Sequence, residues 1–585
     1  MLTLRQAILR IDRQSYQILP ERSNSFAELY VDFQQNTEKY GQRYTIYLHP
    51  KQDLNVGGLE LQFNLQLSPA ARFLANGFQS WSETRFLHPN DQIPRLRGLA
   101  RSRMGIYGDE HIAGIPRGKG YLHAWTYTVL AESGLFRLMG SLNESTGFTA
   151  FIYDHHNAVL TVRKDLDGLA LTHSFPAMDI WMGEGTEKEV YDRYFALLRD
   201  NVVYHYRAPD RERGILGWTS WYRHFNKISE EILLDNLRGV VESGLPFRYF
   251  QIDDGWQSAV GDWFSVRPEF PGGMAKMAAE IRSAGLVPGI WMAPFVASAH
   301  SELARKHPDW LLKDGKGKPL RAGWNPLWGG WYHALDIYHP KVQEYLSGVF
   351  HLVREKWGYR LFKLDFLFAA CLAPPRSKTR GQVMADAIDF LRHQLGDDQF
   401  LACGVPLGSV MGRAEFCRIG GDVHMRWEHR LLNWLRHRER VSTLASLRST
   451  LSRWALDGRA FGNDPDVFIL RNDHQRLNPD QQNTLLTVNA LLGALLFTSD
   501  HPGEYSELQS EKITAALHLG KSRVEQVTEL MPDVYRIGFR LGEEDFWGLV
   551  NLNSRVVRVP LMSNGREELR PFETKIINRG ELSSS

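Results

Sequence analysis

From about residue 206 onward the chain repeats one pattern: a short apolar run, then helix-forming sequence. The runs are Ile215-Leu-Gly-Trp218, Tyr249-Phe-Gln-Ile252, Val287-Pro-Gly-Ile-Trp-Met292, Leu361 to Phe366, Phe400-Leu-Ala-Cys403, Phe416-Cys-Arg-Ile419, Arg459-Ala-Phe461 and Ala494-Leu-Leu-Phe-Thr498. Helices are predicted between them. One runs from Ser229 to Ser243 with Ser229 as N-cap, one from Pro340 to Trp357 with proline in its first turn, and one follows Asn478-Pro479. Eight such strands, each trailed by a helix over roughly 300 residues, fit a (β/α)8 barrel, or TIM barrel. A doubly wound sheet usually carries a glycine-rich turn after its first strand. Gly217-Trp218-Thr219-Ser220-Trp221 is not one.

The flanks read differently. Residues 1 to 205 look all-β, with alternating runs such as Tyr44-Thr-Ile-Tyr-Leu-His, Leu59-Glu-Leu-Gln-Phe-Asn-Leu and Ala158-Val-Leu-Thr-Val-Arg. Val56-Gly57-Gly58 and Asp165-Leu-Asp-Gly168 read as turns between them. That spacing predicts a large β-sandwich, with a helix from Glu187 to Asp200 leading out of it. After Asp500 short β runs return, at Val534 to Phe539, Phe546 to Leu552 and Arg555 to Leu561, before a polar tail from Arg579 expected to fray. The expected architecture is a multidomain α/β chain: an N-terminal β-sandwich (1–205), a central barrel (206–505) and a small C-terminal β domain (506–585).

Charge excludes some partners. With 69 basic and 67 acidic side chains the formal balance is +2, which gives no reason to expect nucleic acid or a membrane surface. Three scattered cysteines, Cys371, Cys403 and Cys417, form neither a disulfide framework nor a metal knuckle and fit a reducing compartment. The N-terminus does not read as a leader. The most apolar run, Leu485 to Thr498, is too short for a membrane span and reads as a core helix. A cytoplasmic protein is expected. The chain carries 17 Trp, 21 Tyr and 30 Phe, and Trp clustered at strand ends suits the apolar faces of sugar rings.

In a barrel of this type the active site lies at the C-terminal strand ends. Those ends carry Trp218-Thr-Ser-Trp221-Tyr222, Asp253-Asp254-Gly255-Trp256, Trp291, Lys363 with Asp365, Cys403-Gly404, Arg418-Ile-Gly-Gly-Asp422, Asn463-Asp-Pro-Asp466 and Ser499-Asp500. One pocket explains them together. It holds carboxylates, cations and Trp, without a His pair or Cys cluster at metal-ligand spacing, a phosphate-cradling glycine loop or a Gly-x-Ser-x-Gly elbow. Carboxylates beside aromatic platforms are the apparatus that cleaves glycosidic bonds.

Lys363 and Asp365 alternate with Phe362, Leu364 and Phe366, so the two charges share one strand face. They form either a structural ion pair or a held, ionised carboxylate suited to a nucleophile. Asp422 follows two glycines that let its backbone approach a ligand, and opposite an ionised Asp365 it suits an acid. Arg418 is expected to face the sugar or Asp365 rather than Asp422. Asp253 and Asp254 can both face one ligand if the strand bends at Gly255; a solvated turn or a Ca2+ site are the other readings. Trp256, Trp263, Trp310 and Trp427 are expected in the core, and His424 and His429 at the surface or behind the site.

At these residues the chain resembles glycoside hydrolase family 36, the α-galactosidase family. The matching motifs are Gly217-Trp-Thr-Ser-Trp221-Tyr222, Gln251-Ile-Asp253-Asp254-Gly-Trp256-Gln257, Gly289-Ile-Trp291-Met-Ala-Pro-Phe, Phe362-Lys-Leu-Asp365-Phe, Cys403-Gly-Val-Pro-Leu, Arg418-Ile-Gly-Gly-Asp422 and Asn463-Asp-Pro-Asp466. Asn76-Gly-Phe-Gln-Ser-Trp81 and Leu569-Arg-Pro-Phe-Glu-Thr-Lys also look like the family. The resemblance implies a retaining exo-α-galactosidase with no metal or organic cofactor. It implies Asp365 as nucleophile and Asp422 as acid/base. Asp253 and Asp254 would hold the 4- and 6-hydroxyls of galactose, Lys363 and Arg418 would bind the sugar, and Cys403 would lie beside it. Trp221, Tyr222 and Trp291 would be pocket walls, with Trp81 reaching over from the sandwich.

Phe78, where Trp or Tyr is expected, the charged stretch after Asp422 and the aromatic loop from Gly323 to Tyr332 depart from the pattern. They bear on the exact sugar and on what it is attached to. Two alternatives therefore stand beside the α-galactosidase: an enzyme for a C2-altered sugar such as N-acetylgalactosamine, decided by the room near Cys403 and Arg418, and a raffinose-synthase-like transferase, with the aromatic loop holding the acceptor. The expected partner is a small oligosaccharide or α-galactoside; oligomeric state is left open, a homo-oligomer included.

Overall fold

The computed structural model describes residues 2–12, 14–38, 40–98, 100–112, 114–166, 168–201, 213–561 and 565–582. The expected boundary at 205/206, part of the Asp165–Gly168 turn and the last three residues lie outside these. The N-terminal part forms two antiparallel sheets, of seven and eight strands, around a shared core. Period-two burial builds it: Tyr44, Ile46 and Leu48 of strand Gly41–Pro50 all point inward. Val56-Gly57-Gly58 is not a turn. It sits inside the strand Leu54–Asn64, where pairing slips between Arg10 and Ile11 on the neighbouring strand, so the glycines make an irregularity within the sheet. The exit helix spans Glu187–Asn201.

The central sheet is parallel throughout. Its strands are β1 (Ile215–Thr219), β2 (Phe247–Ile252), β3 (Val287–Met292), β4 (Leu361–Leu364), β5 (Gln399–Ala402), β6 (Phe416–Arg418), β7 (Gly462–Asp464), β8 (Val467–Phe468) and β9 (Leu495–Thr498). The seventh apolar run, Arg459 to Phe461, was expected to be a strand; the strand instead begins at Gly462 and is broken into β7 and β8. Pro465 has no N–H to give a ladder, and Asp466 takes a left-handed φ of 80°. β7 pairs with β6 and β8 with β9, while β9 pairs with β1, so the two pieces of the broken strand stand at the two ends of the pairing order.

Helix starts follow the sequence signals. Ser229 caps Glu230–Glu242, Pro340 opens Pro340–His351, and Asn478 forms a capping box with Gln481 on Pro479–Leu492. The apolar run at 485–498 divides between that buried helix and β9. No described helix is long and apolar enough to cross a membrane. A helix, Glu507–Leu519, precedes a four-stranded antiparallel sheet that starts at Arg523. The tail was expected to fray, but Arg579–Leu582 forms a helical turn with the Arg579 guanidinium over the Trp547 ring. One hydrophobic cluster runs from the parallel strands into the N-terminal sheets at Trp125 and Tyr127 and into the last sheet at Val527 and Ile537.

Candidate active site

Strand register sets the floor of the site. Trp291 on β3 pairs with Lys363 on β4, and Arg418 on β6 with Asp464 on β7, so these side chains emerge at one end of the sheet. Beyond Leu364 the chain leaves the ladder. The Asp365 N–H still donates to Met292 O (2.8 Å), but Phe366 takes φ 56° and turns the chain into a short 3-10 helix. Phe366 therefore does not point away from Asp365 as strand alternation predicted. Its ring packs on Trp81 and Trp328, with centroids 4.9 and 4.8 Å away, and lines the cavity.

Trp81, Trp221, Asp253, Asp254, Trp291, Lys363, Asp365 and Asp422 all line one cavity of about 210 Å³. Tyr222, Cys403 and Arg418 do not line it; they are buried behind it. The Tyr222 hydroxyl donates to Asp466 Oδ2, so Tyr222 braces the wall rather than forming it. Cys403 Sγ accepts from Trp81 Nε1 at 3.2 Å, which seats an indole from the N-terminal part over the ends of the parallel strands. Gly404 carries the chain past this contact at φ 54°; a side chain there would come within 2.8 Å of the Trp81 ring and 3.0 Å of Asp365 Oδ1.

Lys363 does not pair with Asp365. Its Nζ donates to Asp253 Oδ2 at 2.7 Å, and the same oxygen accepts from Gln251 Nε2 at 2.8 Å. Burial opposes the Lys363 charge, but Asp253 outweighs it and raises the ammonium above its ordinary range. The backbone does bend at Gly255 (φ 121°), and both acids reach the cavity. Asp254 accepts from Gln257 Nε2 (2.6 Å) and Trp328 Nε1 (2.7 Å), yet burial pushes its carboxyl up to about 6.

Asp365 accepts from the Phe366 N–H at Oδ1 (2.9 Å) and from Trp291 Nε1 at Oδ2 (3.2 Å). Burial raises its carboxyl above the usual range. Lys363 and the hydrogen bonds from Cys403 and Trp291 pull the other way, and the Asp422 charge adds to the rise. Lys363 thus eases ionisation of Asp365 through space without winning against burial.

Asp422 is the most open of the acids, its side chain 34% exposed. Arg418 was expected to turn from it, but Arg418 Nη1 lies 2.9 Å from Asp422 Oδ1. The same guanidinium holds Asp464 at 3.0 Å and Asp466 at 2.9 Å, so one cation serves three carboxylates. The second glycine before Asp422 also serves another purpose than expected: a side chain at Gly421 would meet Arg440 O at 2.8 Å, so the close approach is to this chain's own backbone. Among the described residues no three His, Cys, Asp or Glu are grouped to hold a metal ion.

Several lining residues were not singled out in the sequence: Met104, Tyr107, Asn325, Trp328, His437 and Glu439. Trp328 belonged to the noted aromatic loop, now a hairpin of Arg321–Asn325 and Gly330–Ala334. Its indole faces Asp254, while Trp331 stacks under Arg321 at 4.4 Å. Trp256 and Trp263 are fully buried, Trp310 and Trp427 pack partly buried against the core, and Phe78 is a core ring against Trp125 and Phe148. His424 and His429 are half-buried neighbours, 5.0 Å between rings.

A family model described as melibiase matches residues 173–366, a span that closes just past Asp365. An α-galactosidase from Geobacillus stearothermophilus, AgaA, is 38% identical over 146 residues. That stretch covers 23% of this chain and 18% of the relative's length. Among solved structures, an α-galactosidase from Thermus thermophilus in complex with p-nitrophenyl α-D-galactopyranoside superposes with a TM-score of 0.69 at 29% identity, covering 89% of this chain and 96% of that one. Geobacillus AgaA in complex with raffinose shares the fold at a TM-score of 0.63 and 14% identity, covering 92% and 75%. In sequence and fold this chain is similar to α-galactosidases of the glycoside hydrolase family 36 type.

Proposed function

We propose that this protein is a retaining exo-α-galactosidase that releases terminal α-D-galactose from oligosaccharides. The observation that carries the reading is that Asp365 and Asp422 line one cavity of about 210 Å³, close to the size of a single sugar ring, with Asp253, Asp254 and Lys363 on its wall. In the first step Asp365 attacks the anomeric carbon and the bond to the leaving oxygen breaks, Asp422 giving that oxygen its proton. In the second, Asp422 takes a proton from water, which attacks the same carbon and frees Asp365. Asp253 and Asp254 accept hydrogen bonds from the galactose hydroxyls, and Lys363 holds the Asp253 side chain in place for this. Trp291 and Trp81 wall the ring. Tyr222, Arg418 and Cys403 act from behind the lining. The scaffold we propose is a (β/α)8 barrel between a sandwich (1–205) and a C-terminal β domain (506–585).

The packing behind the wall supports an unaltered 2-hydroxyl over a 2-acetamido group. Cys403 is covered by Trp81, and the Arg418 guanidinium is taken by three carboxylates. The test is turnover of p-nitrophenyl α-galactoside and its 2-acetamido analogue. Wild type should cleave the first, and Asp365→Ala should lose at least about a thousandfold in kcat. Equal rates for wild type and Asp365→Ala would remove Asp365 from its role.

A further inference from the structure

Beside Asp422 the cavity is lined not by strand ends but by a strap, residues 436–441, pinned to the sandwich turn 75–83. Arg438 donates to Glu83 O (2.9 Å) and Ala75 O (2.6 Å), and the Glu83 N–H donates back to Arg438 O (3.1 Å). Ser82 Oγ donates to Glu439 Oε1 at 2.6 Å. Arg440 joins Glu83 at 2.6 Å and Glu428 at 3.0 Å. At the strap's far end the Ser442 N–H donates to Asp422 O (2.8 Å), tying it to the acid's own backbone.

Two groups on this strap, His437 and Glu439, belong to the cavity lining. The His437 side chain is 3% exposed, and neither ring nitrogen has a hydrogen-bond partner among the described residues. Its nearest charged neighbour is Glu439 Oε2, 3.7 Å away. Burial, aided by Arg440, pushes the imidazole down to about 3, so it is neutral; burial pushes the Glu439 carboxyl up to about 7. A buried imidazole left unsatisfied at both nitrogens is costly, and a polar ring held facing a cavity calls for a partner from outside the chain.

We propose that His437 and Glu439 bind hydroxyl groups of the leaving sugar, so that this site reads a second sugar ring rather than an aryl or alkyl group. The inference rests on the α-galactosidase reading, in which Asp422 protonates the leaving oxygen; groups strapped beside Asp422 meet what departs. A neutral imidazole offers one donor and one acceptor nitrogen, a match for two neighbouring hydroxyls, and Glu439 Oε2 accepts from a third.

The test compares kcat/KM for raffinose with kcat/KM for p-nitrophenyl α-galactoside in wild type, Glu439→Gln and His437→Asn. Each variant keeps a polar side chain of similar reach, and Gln can still accept from Ser82. Circular dichroism establishes that each folds, and either variant alone suffices. The ratio of raffinose to aryl kcat/KM should fall at least fivefold. A smaller change, or an equal loss on both substrates, overturns the inference while leaving the enzyme an α-galactosidase. A wild type that cleaves neither substrate overturns that reading and the inference with it.

Discussion

Lys363 Nζ sits 2.7 Å from Asp253 Oδ2, across the end of the parallel sheet, rather than on Asp365 two residues along its own chain. Both partners are buried, so removing one strands the other's charge. Lys363→Met should therefore cost about 3–5 kcal/mol in denaturant unfolding. Lys363→Met combined with Asp253→Asn should recover a large part of that stability but not activity. Additive losses in the double variant would mean the two side chains act independently.

The Trp328 indole stabilises the charged form of Asp254, whose carboxyl already lies up at about 6. Trp328→Phe takes that hydrogen bond away, so protonation of Asp254 should occur at still higher pH. The acid limb of the kcat/KM profile should move upward, with KM for p-nitrophenyl α-galactoside rising about tenfold and kcat falling less. An acid limb that stays in place would separate Asp254 from substrate binding.

In the mechanism we propose, Asp422 has most to do when the leaving oxygen is a poor leaving group. Asp422→Asn should reduce kcat/KM for raffinose by about a thousandfold and for a dinitrophenyl α-galactoside by about tenfold or less. Similar losses on both would assign proton donation elsewhere.

Glu187 is buried where the exit helix meets Trp454 and the C-terminal sheet, accepting from Trp454 Nε1 (3.1 Å) and the Val527 N–H (3.2 Å). Burial pushes its carboxyl up to about 7, above its value in the unfolded chain. A folded value above the unfolded one means stability that is full below about pH 4.5 and lost as pH rises through about 7. For this group the loss approaches about 3 kcal/mol by pH 8. Thermal unfolding of Glu187→Gln from pH 5 to 8 should show a flatter dependence than wild type; parallel curves would show that Glu187 does not titrate there.

The strand ends of the parallel sheet were legible because chemistry there obeys local rules. Alternation, cap residues and the position of an acid after an apolar run can be read in a window of ten residues. Asp253, Asp254, Asp365 and Asp422 share one cavity for that reason. What escaped reading depends on segments far apart in sequence. Arg418 meets Asp464 and Asp466 only through pairing of β6 with β7, so its turn toward Asp422 could not be seen. Trp328 reaches Asp254 from a hairpin 74 residues away, and Glu439 is set by Ser82, 357 residues away. The slip at Arg459 to Phe461 had a local cause: an apolar run can end one residue before a strand as easily as inside it.

The indole of Trp81 resting on Cys403 makes the cavity a joint product of two stretches of chain 322 residues apart. A chain without its first two hundred residues would lose that wall, together with Tyr107 and the anchor of the 436–441 strap, and the cavity would stand open to solvent on one flank. Exchanging the N-terminal sheets between relatives would accordingly reshape the cavity wall while leaving Asp253, Asp254, Asp365 and Asp422 untouched.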